Sequence, residues 1–214
     1  LEYGAASAVA RWSAMGKEVS YVLATSGEAG IDGMAPAEAG PVREEEERLS
    51  AAAVGVSHVE FLGLPDGILE NGLPLRRGLA GALRRLRPDI VVGMNFDLTW
   101  GDSATVNHAD HRVVGLAVLD ACRDAANRWV FPNQGQPWDG IRAAYISGGN
   151  NSTHYVDVGA TIGLGVASLR AHRLYIEGLG REFDPDSFLH TLAEFAGVAA
   201  GCDLAVLFQR YGVG

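Results

Sequence analysis

The sequence predicts one α/β domain with a Rossmann-like, mostly parallel sheet, helices on both faces and a C-terminal elaboration. Two observations favour this fold. A strand, a loop and a helix follow one another three times before Trp129, and each crossover is long enough to return the chain to the same edge of a sheet. Beyond Trp129 the pattern weakens, without a second core or an internal repeat. We therefore expect residues 1–214 to form a single domain.

Local patterns predict the individual elements. Ala5, Ala8, Val9 and Trp12 recur at helical spacing ahead of Gly16, a residue suited to a helix C-terminus. Short apolar runs rich in β-branched residues predict the strands. The predicted strands are 19–25, 58–62, 90–94, 143–146 and 154–158, and a last apolar stretch follows at 204–208. The predicted helices are 1–15, 42–54, 74–86, 109–127, 159–177 and 185–200.

Three loops follow the first three predicted strands. Residues 27–41 contain four glycines and two prolines, too many for regular structure. Residues 63–67 and 95–107 follow the second and third strands. Open α/β sheets bind ligands at the carboxyl ends of their strands. These loops are therefore where we expect a functional site.

The composition excludes several classes of protein. Hydrophobic residues make up 48% and charged residues 20%, which is typical of soluble globular domains and not of disordered or collagen-like chains. A formal net charge of −9 disfavours nucleic acid and anionic lipid as partners. No apolar run approaches the roughly 20 residues that span a bilayer, and no secretory signal is visible. Cys122 and Cys202 are too few for a disulfide framework, so we expect a cytoplasmic protein.

Residues 107–112 read Asn-His-Ala-Asp-His-Arg and open the helix after strand 90–94. His108 and His111 are three residues apart, so on a helix they share a face and can converge on one metal ion or one substrate. Asp110 can accept a hydrogen bond from an imidazole N–H and raise the pKa of that histidine. The same spacing is also typical of a helix N-cap with solvent-facing imidazoles. Spacing alone does not decide between these interpretations.

Six collinear motifs carry a resemblance to a known family. They are Leu1-Glu2-Tyr3-Gly4-Ala5-Ala6, Thr25-Ser26-Gly27-Glu28-Ala29-Gly30, Arg43 with Glu46, Phe61-Leu62-Gly63-Leu64-Pro65-Asp66-Gly67, Arg87-Pro88-Asp89 and His108-Ala109-Asp110-His111. Together they resemble the LmbE-like, or PIG-L, family of zinc-dependent N-acetylglucosaminyl deacetylases. The resemblance extends from residue 1 to about residue 119 and is weaker afterwards.

The resemblance implies a zinc-dependent amide hydrolase. In that family a His-Pro-Asp-Asp segment, which supplies two zinc ligands and the general base, stands immediately before the residues that match Leu1 and Glu2. We therefore expect this chain to lack its first strand and that segment. By the same resemblance His111 is the third zinc ligand, His108 stabilises the oxyanion, and Asp110 holds His108 charged and oriented.

The resemblance also implies roles for residues in the other loops. Glu28 matches a position close to the sugar hydroxyls and the metal, and Arg43 and Asp66 match positions that grip the substrate. From the residues alone, Glu28 can also be a solvated loop acid, Arg43 a surface ion pair with Glu46 or Glu47, and Asp66 a turn residue, and we favour the functional interpretation for Glu28 and Asp66. His172 resembles a histidine of a late helix in the family, although the residues that follow it depart from the family pattern.

Three functions follow from these observations. The first is a zinc-dependent deacetylase that acts on an N-acylated amino sugar or amino-sugar conjugate. The second is a catalytically silent family member that binds a glycoside. The third is a nucleotide-binding Rossmann domain, which predicts pyrophosphate contacts and no metal. A homo-oligomer is compatible with each of them.

Overall fold

The computed structural model describes residues 2–100 and 104–213. Its helices are α1 (Ala6–Ala14), α2 (Pro36–Ala53), α3 (Leu73–Leu86), α4 (Ala109–Ala126), α5 (Ile162–Arg170), α6 (Arg173–Glu177) and α7 (Pro185–Ala200). Its strands are β1 (Ser20–Leu23), β2 (His58–Phe61), β3 (Ile90–Met94), β4 (Ala143–Ser147), β5 (His154–Asp157) and β6 (Ala205–Gly212). Every helix among the described residues is too short or too polar to cross a bilayer.

The chain divides into two compact units. The first comprises Leu1–Asp66 and Tyr155–Leu207, and the second comprises Gly67–His154 and Phe208–Gly214. The single domain expected from the sequence stays a prediction.

In the first unit β1 and β2 form a parallel pair, with Ser20 opposite His58 and Leu23 opposite Phe61. The carboxyl ends of both strands therefore lie at the same edge. Helix α5 packs against α1, α2 and α7. Trp12 of α1 packs against the buried apolar cluster of this unit, as its helical spacing predicted.

The second sheet has the strand order β3-β4-β6-β5. Strand β3 runs parallel to β4, and β4 runs antiparallel to β6. Helix α4 packs on α3, β3 and β4. At Gly115 of α4 an added Cβ would lie 2.6 Å from Phe96 Cβ and 2.8 Å from the carbonyl oxygen of Met94. The absence of a side chain at Gly115 thus lets the first half of α4 approach the end of β3.

Several predicted boundaries differ from the structure. Helix α2 begins at Pro36 rather than at residue 42, because proline at a first helical position lacks only an N–H that would be unpaired there. The predicted helix 159–177 is two helices, α5 and α6, separated at Ala171 and His172. Strand β6 continues to Gly212, because it pairs with β4. The predicted first helix begins at Ala6, because residues 2–5 form a turn; residue 1 lies outside the described residues.

Candidate functional site

In the first unit, hydrogen bonds join the loops that follow β1 and β2. The Thr25 hydroxyl donates to Asp66 Oδ1 at 2.9 Å, and the Ala29 N–H donates to Asp66 Oδ2 at 3.0 Å. The Asp66 N–H in turn donates to Glu28 Oε1 at 2.9 Å. Asp66 is therefore more than a residue of a local turn. The second oxygen of Glu28, Oε2, is buried and accepts no hydrogen bond from any described residue, which leaves it for a ligand.

Arg43 lies on α2 with its side chain only 12% exposed. Its Nη1 donates to Glu46 Oε2 at 2.8 Å and to His172 Nδ1 at 2.7 Å. Its guanidinium carbon lies 4.4 Å from the centre of the Tyr175 ring. Arg43 does pair with Glu46, but the pair is buried and is not a surface ion pair.

Glu2, Glu47 and His172 bring three potential ligand atoms within 4.8 Å of one another. Burial, followed by the nearby Glu2 carboxylate, raises the pKa of Glu47 to about 8. Burial also lowers the pKa of His172, which favours the neutral imidazole. Sequence reasoning missed this cluster because its members come from three distant segments, and no spacing within any one segment indicates it.

The tautomer of His172 decides what the cluster can bind. An arginine guanidinium can only donate hydrogen bonds, so His172 Nδ1 must be the acceptor of the bond from Arg43. The neutral imidazole then carries its proton on Nε2, the atom 3.6 Å from both Glu2 Oε1 and Glu47 Oε2. A metal ion would need the lone pair of Nε2 instead. The cluster as it stands does not fit a metal ion.

In the second unit three aromatic rings converge at the start of α4. His108 is the N-cap residue and His111 lies in the first turn, with 5.1 Å between the ring centres. The Trp100 ring centre lies 5.4 Å from that of His111 and 6.3 Å from that of His108. The side chain of Asn107 is buried and donates to the carbonyl oxygens of Asn95 and Asp97, which anchors the segment beside the end of β3. The structure thus brings the two histidines together as their spacing predicted.

Asp110 has different partners from those expected. Its carboxylate accepts hydrogen bonds from the N–H groups of Gly67 at 2.7 Å and Leu69 at 3.1 Å. Within residues 2–100 and 104–213, no hydrogen bond joins Asp110 to His108. Both carboxylate oxygens of Asp110 thus bind backbone N–H groups of the 67–69 loop, and the role of Asp110 in orienting His108 stays a prediction.

These features are typical of α/β proteins that bind ligands at the carboxyl ends of parallel strands. The candidate binding residues lie in the loops after the strands, and the two histidines lie at the start of the helix that follows β3. The profile of the PIG-L family, described as GlcNAc-PI de-N-acetylase, matches residues 1–122, more than half of the 214-residue chain. The chain belongs to the PIG-L family. The resemblance of its sequence motifs to this family is thereby confirmed.

Individual relatives agree with this assignment. The 1D-myo-inositol 2-acetamido-2-deoxy-alpha-D-glucopyranoside deacetylase 2 of Saccharopolyspora erythraea is 26% identical over 162 residues, which cover 64% of this chain and 57% of the relative. The match thus spans little more than half of that protein.

Two solved structures share the fold. The N,N'-diacetylchitobiose deacetylase of Pyrococcus horikoshii has a TM-score of 0.86 at 23% identity, covering 99% of this chain and 79% of that one. The conserved protein TT1542 of Thermus thermophilus has a TM-score of 0.79 at 26% identity, covering 97% and 87%. These similarities confirm the predicted α/β fold.

The PIG-L family is metal-dependent, and one residue of this chain fits a metal by its chemistry. The imidazole of His111 is a common zinc ligand, and catalytic zinc takes three protein ligands. No group of three potential ligands among the described residues includes His111. The imidazole of His111 therefore suits one position of such a ligand set.

Proposed function

We propose that the protein is a zinc-dependent hydrolase that removes an acetyl group from an N-acetylated amino sugar or amino-sugar conjugate. The observation that carries this proposal is the convergence of His108 and His111 at the start of α4, in a chain of the PIG-L family. The named relatives include a deacetylase of an inositol glycoside and a deacetylase of diacetylchitobiose, which supports substrates with an acetamido sugar.

His111 would hold the zinc ion with the two upstream ligands. When bound, zinc supplies an activated water and a Lewis acid for the acetamide carbonyl. His108 is exposed at the N-cap, where a ring N–H would donate to the carbonyl oxygen as negative charge develops. A neutral imidazole also has one N–H donor, so this role does not depend on a charge held by Asp110. Asp110 contributes by fixing the 67–69 loop to the first turn of α4.

Three residues of the first unit would bind the substrate. Glu28 Oε2 would accept a hydrogen bond from a sugar hydroxyl, since it is buried without another donor among the described residues. Arg43 would donate through the nitrogens that its two bonds at Nη1 leave free. Asp66 would hold the two loops through the bonds it already accepts, and its remaining lone pairs can accept from a hydroxyl.

We also propose a cytoplasmic location and homo-oligomeric assembly, with a small amino-sugar compound as the partner. Metal analysis of the full-length protein, with an amine-release assay on N-acetylglucosaminyl-inositol and N,N'-diacetylchitobiose, tests the function. The proposal predicts bound zinc, release of a free amine, and loss of activity on chelation. Zinc without amine release would favour a silent glycoside-binding protein. A thermal shift with a nucleotide, in the absence of bound zinc, would favour the nucleotide-binding alternative.

A further inference from the structure

His172 lies at the break between α5 and α6, where the sequence predicts one continuous helix. It is the N-cap residue of α6 and its side chain is fully buried in the first unit. Its backbone N–H donates to the Leu169 carbonyl, and its carbonyl accepts from the Ile176 N–H, so both main-chain groups are fixed. The imidazole is therefore held in one place and can serve as a rigid support.

The imidazole has one fixed acceptor and one fixed donor. Nδ1 accepts from Arg43 Nη1 at 2.7 Å, which assigns the ring proton to Nε2. Nε2 is buried, forms no hydrogen bond within the described residues, and lies 3.6 Å from each of two carboxylates. Those carboxylates belong to Glu2 and Glu47. Because the ionised Glu2 carboxylate faces Nε2, it favours the tautomer with the proton on Nε2, which leaves Nδ1 free to accept from Arg43.

Arg43 is held from several directions. Both hydrogens of Nη1 are used, one on Glu46 Oε2 and one on His172 Nδ1. The other oxygen of Glu46 accepts from the Leu174 N–H, and the Tyr175 ring lies against the guanidinium plane. The contacts of Arg43 with Tyr175 and of Glu46 with Leu174 tie α2 to α6, and the bond to His172 ties α2 to the N-cap of α6. The guanidinium therefore has one orientation rather than several.

This orientation leaves one edge of Arg43 free. Nε–H and Nη2–H share an edge of the guanidinium plane, and no described residue accepts from either of them; Nε is buried. A Cβ placed on Gly27 would lie 3.4 Å from Nε, so this edge lies beside the loop that follows β1. Two parallel N–H donors suit a pair of adjacent acceptor oxygens, such as two neighbouring sugar hydroxyls.

We infer that His172 is a positioning residue: by accepting from Nη1 through Nδ1 it holds the Nε and Nη2 edge of Arg43 in the orientation that binds the substrate. This inference rests on the proposed function. His172 itself does not touch the substrate, and its influence passes through Arg43 alone.

A set of substitutions in the full-length protein tests the inference. His172→Asn keeps an acceptor close to the position of Nδ1, whereas His172→Leu removes it. If Arg43 binds the substrate far from the bond that reacts, it stabilises the bound substrate and the transition state equally. Moving Arg43 out of place then raises KM and leaves kcat unchanged. With N-acetylglucosaminyl-inositol as probe, we expect KM to rise about tenfold in His172→Leu, with kcat within about threefold, and to return close to the wild-type value in His172→Asn.

A double mutant separates positioning from general destabilisation. If His172 acts through Arg43, His172→Leu adds nothing to the KM of Arg43→Ala, because the two residues form one unit. Ser168→Ala removes a different buried hydrogen bond of the same unit, to Ser50, and should leave KM unchanged. Additive effects of the two substitutions, or equal KM values for His172→Asn and His172→Leu, would overturn the inference.

The tautomer gives a test that does not require turnover. A ¹⁵N side-chain spectrum, assigned with His172→Asn, should show His172 protonated at Nε2 and unprotonated at Nδ1. A proton on Nδ1 would overturn the inference whatever the activity. If the spectrum is as expected but the wild-type enzyme releases no amine from either sugar probe, the proposed function fails, and the substrate-binding part of the inference fails with it.

Discussion

The carboxylate of Asp110 accepts a hydrogen bond of 2.7 Å from the backbone N–H of Gly67, and a second from Leu69. Asp110 therefore fixes the loop after β2 to the first turn of α4 in the same unit. A carboxylate in the first turn of a helix is also favoured by the helix dipole. These contacts give Asp110 a structural role that its position between two histidines does not reveal.

Asp110→Asn should destabilise the protein while leaving zinc in place. One amide oxygen can replace one carboxylate oxygen, but the NH₂ group then faces a backbone N–H, so we expect a loss of about 1–2 kcal/mol in the free energy of unfolding. Turnover should fall less than in His108→Ala. Urea unfolding and steady-state kinetics measure both effects.

The matched control for Asp110→Asn is Asp120→Asn, at an exposed position of α4. This substitution should change the free energy of unfolding by less than about 0.5 kcal/mol. An Asp110→Asn protein as stable as the wild type would argue against the loop contact.

His108→Ala should retain zinc and lose turnover by about 100- to 1000-fold, the usual cost of removing one oxyanion donor. The physical reason is that His108 supplies an N–H donor at the helix start without being needed as a metal ligand. Zinc analysis and amine-release kinetics on the same preparation measure the two properties. His190→Ala, on α7, is the control and should preserve both. Loss of zinc from His108→Ala would instead identify His108 as a ligand.

Gly115→Ala tests how α4 is positioned. The added Cβ would meet Phe96 and the Met94 carbonyl at under 3 Å, so we expect α4 to shift and the free energy of unfolding to fall by about 1–3 kcal/mol. Activity should fall with it, because His108 and His111 stand on the same helix. At Gly163 of α5 no atom lies within 4 Å of an added Cβ, so Gly163→Ala should be neutral or stabilising by up to about 1 kcal/mol. Equal effects at both glycines would contradict the packing argument.

The buried carboxylate of Glu47 predicts a pH dependence of stability. Its folded-state pKa of about 8 lies above the ordinary value of 4.5, so the folded state binds this proton more tightly than the unfolded state. The contribution is fully present below pH 4.5 and is lost as the pH rises through 8. Among the described residues, the ionisable groups that face it include Glu2, His172, Arg43 and Tyr21.

Urea unfolding of the wild type and Glu47→Gln at pH 5 and pH 9 isolates this contribution. The glutamine variant should gain stability relative to the wild type at pH 9, because it has no proton to lose. Glu45→Gln, at an exposed position of the same helix, should show no such change. The same stability difference at both pH values would contradict the raised pKa.

The sequence predicted the parts of the molecule that depend on local pattern. Strand β3 and helix α7 have the predicted bounds, because a short apolar run and a helix that opens at Pro185 are both local signals. The start of α2 was missed because Pro36 and Pro41 are typical of loops, although the helix includes both. The convergence of His108 and His111 was predicted because residues three apart share a helix face.

Contacts between distant segments could not be predicted in this way. The break before α6 places His172 against Arg43, and no local pattern in residues 159–177 distinguishes two helices from one. The bonds from Asp110 to the 67–69 loop also depend on tertiary packing. Long-range packing alone brings these groups together.

Zinc content tests the central claim most directly. Full-length wild-type protein and His111→Ala, purified without added metal, are compared by elemental analysis, with His154→Ala as the control. The proposed function predicts about one zinc per chain in the wild type and in His154→Ala, and loss of zinc in His111→Ala, because a catalytic site of three protein ligands does not hold the ion with two. Equal zinc content in the wild type and in His111→Ala would contradict it.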